Sequence, residues 1–372
     1  MKNVIILGAT GSIGTTAINA ILSHALPVHV VALSCHRKKD ELRMLGKRFP
    51  DAKLCLSGDA WNDGYSGFHG LRKMIEETDA DIVLNGISGF DGLPASVYTL
   101  ECGKNLALAN KESVVCGWSF LFDLAQKNNA SIIPVDSEHS AIFQLLKSHG
   151  QDEVEKLVIT ASGGPFRTWT EQQLNHATAK DALCHPTWKM GKKITIDSAT
   201  LANKGMEVIE ASKLFGFPPE KIEVVVHPQS IVHSMIRMRN GAVYAQLGMP
   251  DMSLPIISAL LPDTGVPLVS PLSFDDLALT FQKPDIVRFP LLGLAYETLR
   301  NGGASTLAFN ASDEVAVAAF LCGHIGFTDI NDIVERTVAR ADKNAPQDLS
   351  EAIALNKRYR SLAGGFPCAC FS

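Results

Sequence analysis

The sequence predicts an α/β chain in three parts: a doubly wound parallel sheet at the N-terminus, a central α+β domain, and a small C-terminal helical bundle. Three observations predict it. Over roughly the first 135 residues, short continuous apolar runs alternate with amphipathic stretches of helix length, the pattern of strands buried on both faces and joined by crossover helices. After about residue 150 the strand-like runs follow one another with only occasional helices, and from about residue 290 helical spacing takes over. A chain of 372 residues also exceeds what one hydrophobic core usually serves.

Taken in order, residues 4–7, 28–33, 53–56, 82–84, 106–109 and 132–135 read as buried strands, with helical segments such as 14–23 and 71–77 between them. Residues 157–160, 222–226, 231–238 and 242–247 read as strands of a second sheet. Between Pro262 and Pro290 prolines are frequent and no helical period is visible, which marks a linker or wrapping segment. Residues 291–300, 312–321, 330–341 and 349–362 read as the helices of the bundle. The expected boundaries are 1–127 for a Rossmann-like cofactor domain, 128–261 for a catalytic domain, 262–289 for the linker and 290–372 for the helical domain.

Composition excludes several classes. The chain is 46% hydrophobic and 20% charged, ordinary for a packed globular protein and unlike a disordered one. A net charge of -5 gives no basic field for a polyanion, so nucleic acid is not an expected partner. No uninterrupted apolar stretch approaches ~20 residues, so no membrane span is expected, and no secretory leader is expected from the opening residues. Cys35, Cys55, Cys102, Cys116, Cys184 and Cys322 stand alone and read as reduced thiols, while Cys368 and Cys370 fall in a C-x-C that reads as a mobile tail. A reducing compartment follows: the cytoplasm of a bacterial-type cell, or an organelle if a transit peptide has been removed.

The chemistry begins at Gly8-Ala9-Thr10-Gly11-Ser12-Ile13-Gly14, between the first strand and a helix. Glycine there lets backbone approach a pyrophosphate, whose charge sits at the helix N-terminus where unpaired N–H groups point outward. A glycine-lined turn without ligand would look the same. NAD-specific folds carry an acid at the end of the second strand for the ribose diol. Here Ser34-Cys35-His36-Arg37-Lys38-Lys39 precedes any carboxylate, which favours a 2′-phosphate and so NADP(H), with a merely solvated basic turn as the alternative.

Asp136 and Glu138 lie two apart at the end of a strand and face the same side if the chain stays extended. Glu207 lies near the start of a helix, close in sequence to Ser198, Asn203 and Lys204. Three hard oxygen donors without cysteine suit Mg²⁺ or Mn²⁺, although, taken alone, such acids are better accounted for by capping or salt bridging. Ser162-Gly163-Gly164-Pro165-Phe166-Arg167, Ser198, Asn203 and Lys204 offer donors to a phosphate dianion. His185 and His233 stand nearby in sequence as catalytic or simply structural histidines. Trp188 and Met190 are apolar groups on an otherwise polar loop, as expected of a segment that closes over a ligand.

Together these strings resemble the 1-deoxy-D-xylulose-5-phosphate reductoisomerase family. The resemblance runs from residue 4 to about residue 325. It rests on GATGSIG at 8–14, LANKES at 108–113, PVDSEH at 134–139, SGGPFR at 162–167, HPTWKMGKKI at 185–194, DSATLANKGMEVIEA at 197–211, HPQSIVHSM at 227–235 and PDMSLPI at 250–256. It implies an NADPH- and Mg²⁺- or Mn²⁺-dependent homodimer. The implied reaction rearranges and reduces 1-deoxy-D-xylulose 5-phosphate to 2-C-methyl-D-erythritol 4-phosphate, in the non-mevalonate route to isoprenoids.

Residue by residue, the resemblance implies Asp136, Glu138 and Glu207 as metal ligands, with Lys111, Glu138, His185 and His233 in the chemistry. Ser137, Glu138, Ser162, His185, Trp188, Met190, Ser198, Asn203, Lys204 and Glu207 would meet the substrate. Gly8, Thr10, Gly11, Ser12, Ile13, Gly14, Arg37, Asn110, Lys111, Glu112 and Gly191 would meet the cofactor. This sequence departs from the family pattern at Ser34 to Arg37, at Ser312 and Asp313, and in the tail after Leu362; the change at Asp313 reads as a matter for the helical domain rather than for the chemistry. Two rivals, another NADP-linked dehydrogenase and a non-catalytic NADPH sensor, would explain the glycine turn but not the acids and phosphate donors.

Overall fold

The structure, a computed structural model, describes residues 1–188, 190–262 and 264–365. Cys368 and Cys370 lie outside the described residues. The chain opens with β1 (Lys2–Leu7), α1 (Ser12–Ser23), β2 (Val28–Cys35), α2 (Lys39–Arg48), β3 (Lys53–Leu56), β4 (Tyr65–Ser66) and α3 (Gly67–Glu77). It continues through β5 (Ile82–Asn85), α4 (Gly92–Glu101), β6 (Asn105–Leu108), α5 (Lys111–Lys127), β7 (Ile132–Pro134) and α6 (Ser137–His149). Then come β8 (Val154–Ala161), the single turns α7 (Glu171–Leu174) and α8 (Ala179–Ala182), α9 (Lys192–Thr200) and α10 (Ala202–Phe215). Strands β9 (Ile222–Val226), β10 (Val232–Met238) and β11 (Val243–Leu247) precede α11 (Ser253–Leu260). The C-terminal helices are α12 (Pro290–Asn301), α13 (Ser305–Leu321), α14 (Asp329–Val338) and α15 (Leu349–Ala363).

By its internal contacts the chain divides into two compact units. The first is Met1–Ser113, Ser119–Ser140 and Asp251–Ser270; the second is Val114–Trp118, Ala141–Pro250 and Pro271–Ser372. In the first unit seven strands pair in the order β4-β3-β2-β1-β5-β6-β7, parallel throughout. Chain order runs one way from β1 through β2 to β4 and the other way from β5 to β7, so the topological switch point falls between β1 and β5. The strands are apolar on both faces because both are covered. Val4 and Ile6 join Ile18, Leu33, Ile256 and Leu260 in one cluster, while Ile5 and Leu7 join Leu71, Met74 and Val83 in another.

The second unit carries a four-stranded mixed sheet in the order β11-β10-β8-β9. Strands β8 and β9 are parallel, and β10 runs antiparallel to both β8 and β11. Helix α13 is buried around nearly its whole circumference and packs against α12, α14, α15 and α9. One local expectation fails. The chain does not stay extended through Asp136 and Glu138: β7 stops at Pro134, Ser140 N–H donates to the Asp136 carbonyl, and Glu138 lies in the first turn of α6. Acids favour that position because they face the positive end of the helix macrodipole.

Candidate active site

The glycine turn leaves β1 at the switch point. Gly8 has φ +73°, and a Cβ there would lie 2.7 Å from the Gly86 carbonyl oxygen at the end of β5. A Cβ on Gly14 would lie 2.5 Å from both Ala9 Cα and the Gly8 oxygen, so the turn presses against the helix it opens. Gly11 N–H donates to the Gly8 carbonyl at 2.9 Å. No side chain caps α1, and its first turn holds no acid, which leaves the N–H groups around Ser12 and Ile13 directed at the position where an anion would sit. Thr10 lies in the same turn, and its carbonyl accepts a 3.4 Å bond from Lys38, which also pairs with Glu41. Arg37 is exposed on the turn after β2, and Asp40, the first acid after that strand, faces Arg43 in α2.

At the ends of β5 and β6 a buried chain of hydrogen bonds sets the start of α5. Asn85 donates to the Gly92 carbonyl and to Ser96 Oγ, Ser96 bonds Ser113 at 2.8 Å, and Ser113 donates to Asn110 Oδ1. Asn110 thereby caps α5, and its amide nitrogen donates to the Gly89 carbonyl and to Glu112 Oε2. Gly89 N–H closes the ring on Glu112 Oε1 at 3.1 Å. This network escaped the sequence reading, because Asn85 and Ser96 carry no motif; only the N-cap at Asn110 was visible in principle. It delivers Lys111, 5% exposed, to Asp136, with Nζ to Oδ2 2.5 Å. Ser137 donates to Glu138 Oε2 at 2.5 Å.

In the second unit the Ser162 loop leaves β8. His185 Nε2 lies 3.0 Å from Ser162 Oγ, and His185 Nδ1 accepts the backbone N–H groups of Thr187 and Trp188 at 3.1 and 2.9 Å. Two donors at Nδ1 place the ring proton of the neutral imidazole on Nε2, which then donates to Ser162. Burial pushes the His185 imidazole below its ordinary value, in the same direction. Gly164 N–H also reaches Ser162 Oγ, at 3.3 Å, so the hydroxyl's own hydrogen is left to donate elsewhere. A Cβ on Gly164 would lie 2.4 Å from the Ser198 carbonyl, which joins this loop to α9.

Ser198 lies inside α9, while Asn203 and Lys204 occupy the first turn of α10. Asn203 donates to Glu207 Oε1 at 2.6 Å, and Lys204 Nζ lies 2.5 Å from Glu207 Oε2. Helical spacing of three and four residues is what brings them together. Glu207 is 1% exposed. Trp188 and Met190 are half-buried, Gly191 is exposed at the N-cap of α9, and His233 is buried on β10. His227 is fully buried and accepts two backbone N–H groups at Nε2, a histidine that organises the β9 to β10 turn.

Comparisons with known proteins agree across the chain. Three family descriptions match: 1-deoxy-D-xylulose 5-phosphate reductoisomerase at residues 4–117, the C-terminal domain of that enzyme at 132–215, and DXP reductoisomerase C-terminal domain at 247–362. The 1-deoxy-D-xylulose 5-phosphate reductoisomerase of Treponema denticola is 44% identical over 367 residues, covering 97% of this chain and 96% of the relative. That of Bacteroides fragilis is 42% identical over 381 residues, covering 99% and 98%. A crystal structure of DOX-P reductoisomerase in complex with NADPH, fosmidomycin and magnesium superposes with TM-score 0.91 at 36% identity, covering 98% of each chain. The Zymomonas mobilis enzyme in complex with NADPH gives 0.89 at 38% identity, covering 97% and 98%.

Proposed function

Because the chain belongs to the 1-deoxy-D-xylulose 5-phosphate reductoisomerase family, we infer that it rearranges and reduces 1-deoxy-D-xylulose 5-phosphate to 2-C-methyl-D-erythritol 4-phosphate with NADPH and a divalent cation. The observation that carries this reading is the match along the whole chain to relatives and solved structures of that one activity.

The residues fit both groups. The uncapped start of α1, behind glycines that admit no Cβ, suits a pyrophosphate. Asp136, Glu138 and Glu207 are a hard-oxygen donor set without a thiol, which suits Mg²⁺ or Mn²⁺. When bound, the cation supplies Lewis acidity toward the substrate oxygens and NADPH supplies the hydride.

The chain's own residues do the rest. Gly8, Thr10, Gly11, Ser12, Ile13 and Gly14 hold the diphosphate through backbone N–H groups, and Arg37 meets the 2′-phosphate. Asn110 and Glu112, locked by their hydrogen-bond ring, hold Lys111 toward the reacting end, with Gly191 completing the cofactor contacts. Ser162 donates its hydroxyl hydrogen to the substrate phosphate, because His185 and Gly164 already occupy the oxygen as donors. Ser198 and Asn203 add donors. Lys204 has three N–H groups, so it can keep Glu207 and still serve the dianion. Ser137 and His233 line the pocket, and Trp188 and Met190 close over it and exclude water.

We assign 1–127 to the cofactor, 128–261 to catalysis, 262–289 to a linker and 290–372 to a helical domain. Among the described residues no helix is long and apolar enough to cross a membrane. A cytoplasmic location is our reading from the bacterial-type relatives. A homodimer is supported by the edge strand β11, which exposes Val243, Tyr244 and Leu247. The test is oxidation of NADPH with the pentulose phosphate: turnover that requires both Mg²⁺ or Mn²⁺ and this substrate supports the assignment, and absence of turnover with the metal present refutes it.

A further inference from the structure

Lys193 is the second residue of α9 and comes directly after the segment that carries His185, Trp188 and Met190. Its ammonium lies 2.7 Å from Asp197 Oδ2 on the same helix and 2.8 Å from Asp313 Oδ2 on α13. The side chains of Asp197 and Asp313 are 2% and 0% exposed. Asp313, where this sequence departs from the family pattern, therefore does not concern the helical domain alone.

A cation in the first turn of a helix faces the positive end of the macrodipole, and a lysine ahead of its acid is the poorer order for an i, i+4 pair. Lys193 thus sits where local helix physics does not favour it, and two acids hold it there. Two buried carboxylates face one ammonium whose side chain is 27% exposed, so both acids bear a desolvation cost that argues against fold stability as the main use of the set. Fixing geometry is the better-supported use of such a cluster. The geometry concerned is specific. Thr195 bonds the Gly191 carbonyl with both its N–H and its hydroxyl, at 3.1 and 2.8 Å, fastening the first turn of α9 to the end of the segment. One turn further on, Ser198 presents its carbonyl against Gly164 of the Ser162 loop.

We propose that Lys193, clamped by Asp197 and Asp313, is a positioning residue that fixes the downstream end of the 185–191 segment and the rotation of α9 that presents Ser198. The proposal rests on the reading of that segment as the one that closes over the substrate phosphate.

The test compares full-length wild type, Asp313→Asn and Lys193→Met. Asparagine keeps the size and one acceptor oxygen but removes the second charge. In substrate-free protein, the amides of Thr187 and Trp188, which here donate to His185, and those of residues 190–192 are expected to exchange about tenfold faster in both variants, with α13 protection unchanged. KM for 1-deoxy-D-xylulose 5-phosphate is expected to rise about fivefold with kcat within about twofold, and the double variant is expected to be no worse than Lys193→Met. NADPH affinity, read by fluorescence, is expected to be unchanged. Unaltered exchange in the segment in both variants overturns the proposal. So does faster exchange throughout α13 with a lower Tm, which is the mark of a merely structural pair. Faster exchange confined to the segment with KM unmoved leaves the clamp standing and refutes instead the closing role of the segment.

Discussion

The glycine turn and the polar clusters hold their candidate residues by different means. The first is shaped by absent atoms: Gly8 and Gly14 bring backbone to within 2.7 and 2.5 Å of where a Cβ would be, and the helix start carries no side-chain cap. In the second, Ser162 pairs with His185, Lys204 with Glu207, and Lys193 with Asp197 and Asp313, each set held by charge or hydrogen bonding. A site made of absent atoms is bound to a contiguous string. A site made of mutual restraint depends on which elements the fold packs together.

Two acids sharpen the contrast. Asp136 meets Lys111, a partner from the start of a different helix, whereas Glu207 meets Lys204 and Asn203 on its own helix. If both are metal ligands, Asp136→Asn and Glu207→Gln each lose roughly a thousandfold in kcat and most of their Mn²⁺ affinity, the largest effect expected. NADPH binding, read by fluorescence, survives in both because the glycine turn is untouched. Leaving a buried lysine without its carboxylate also lowers stability, by up to about 3 kcal/mol. Unchanged Mn²⁺ affinity in Glu207→Gln, beside a clear loss in Asp136→Asn, would show that Glu207 serves Lys204 and Asn203 alone.

What was legible in the sequence follows the same division. The parallel sheet was legible because short continuous apolar runs such as Val4 to Leu7 alternate with helix-length amphipathic segments, the pattern of strands buried on both faces. The glycine turn was legible because only glycine tolerates φ +73° beside the Gly86 carbonyl. The conformation at Asp136 to Glu138 stayed conditional, because alternation over three residues cannot distinguish a strand end from a helix start. The Asn85–Ser96–Ser113 chain and the Lys193–Asp313 pair were invisible, since each joins residues that only tertiary packing brings within hydrogen-bond reach.

Trp188 probes the mutual-restraint side of the contrast. Its backbone N–H is fixed by His185, while its indole is half-buried on the segment. Trp188→Ala is expected to raise KM for the pentulose phosphate and lower kcat, each about tenfold, with little change in Tm. A stability loss of about 3 kcal/mol or more in thermal or denaturant melts would make Trp188 a core residue and refute the closing role.

Arg37 probes the other side, where one side chain adds discrimination to a turn built from backbone. Lys38 on the same turn already reaches the Thr10 carbonyl and Glu41, so it is partly committed. Arg37 is exposed at the end of β2, the position from which an acid would take the ribose diol in an NAD-specific fold. A guanidinium there matches a phosphate with paired N–H donors, whereas a neutral diol gains little from it. Arg37→Glu is therefore expected to weaken NADPH about tenfold, near 1.4 kcal/mol, and to leave NADH within about twofold. Because the pair is exposed, the wild-type preference is expected to shrink as salt rises. Fluorescence titration of both nucleotides at low and high ionic strength reads this directly. Equal loss of NADPH and NADH would mean that the substitution had disturbed the glycine turn itself, and an unchanged NADPH affinity would move the 2′-phosphate contact to His36 or Lys39.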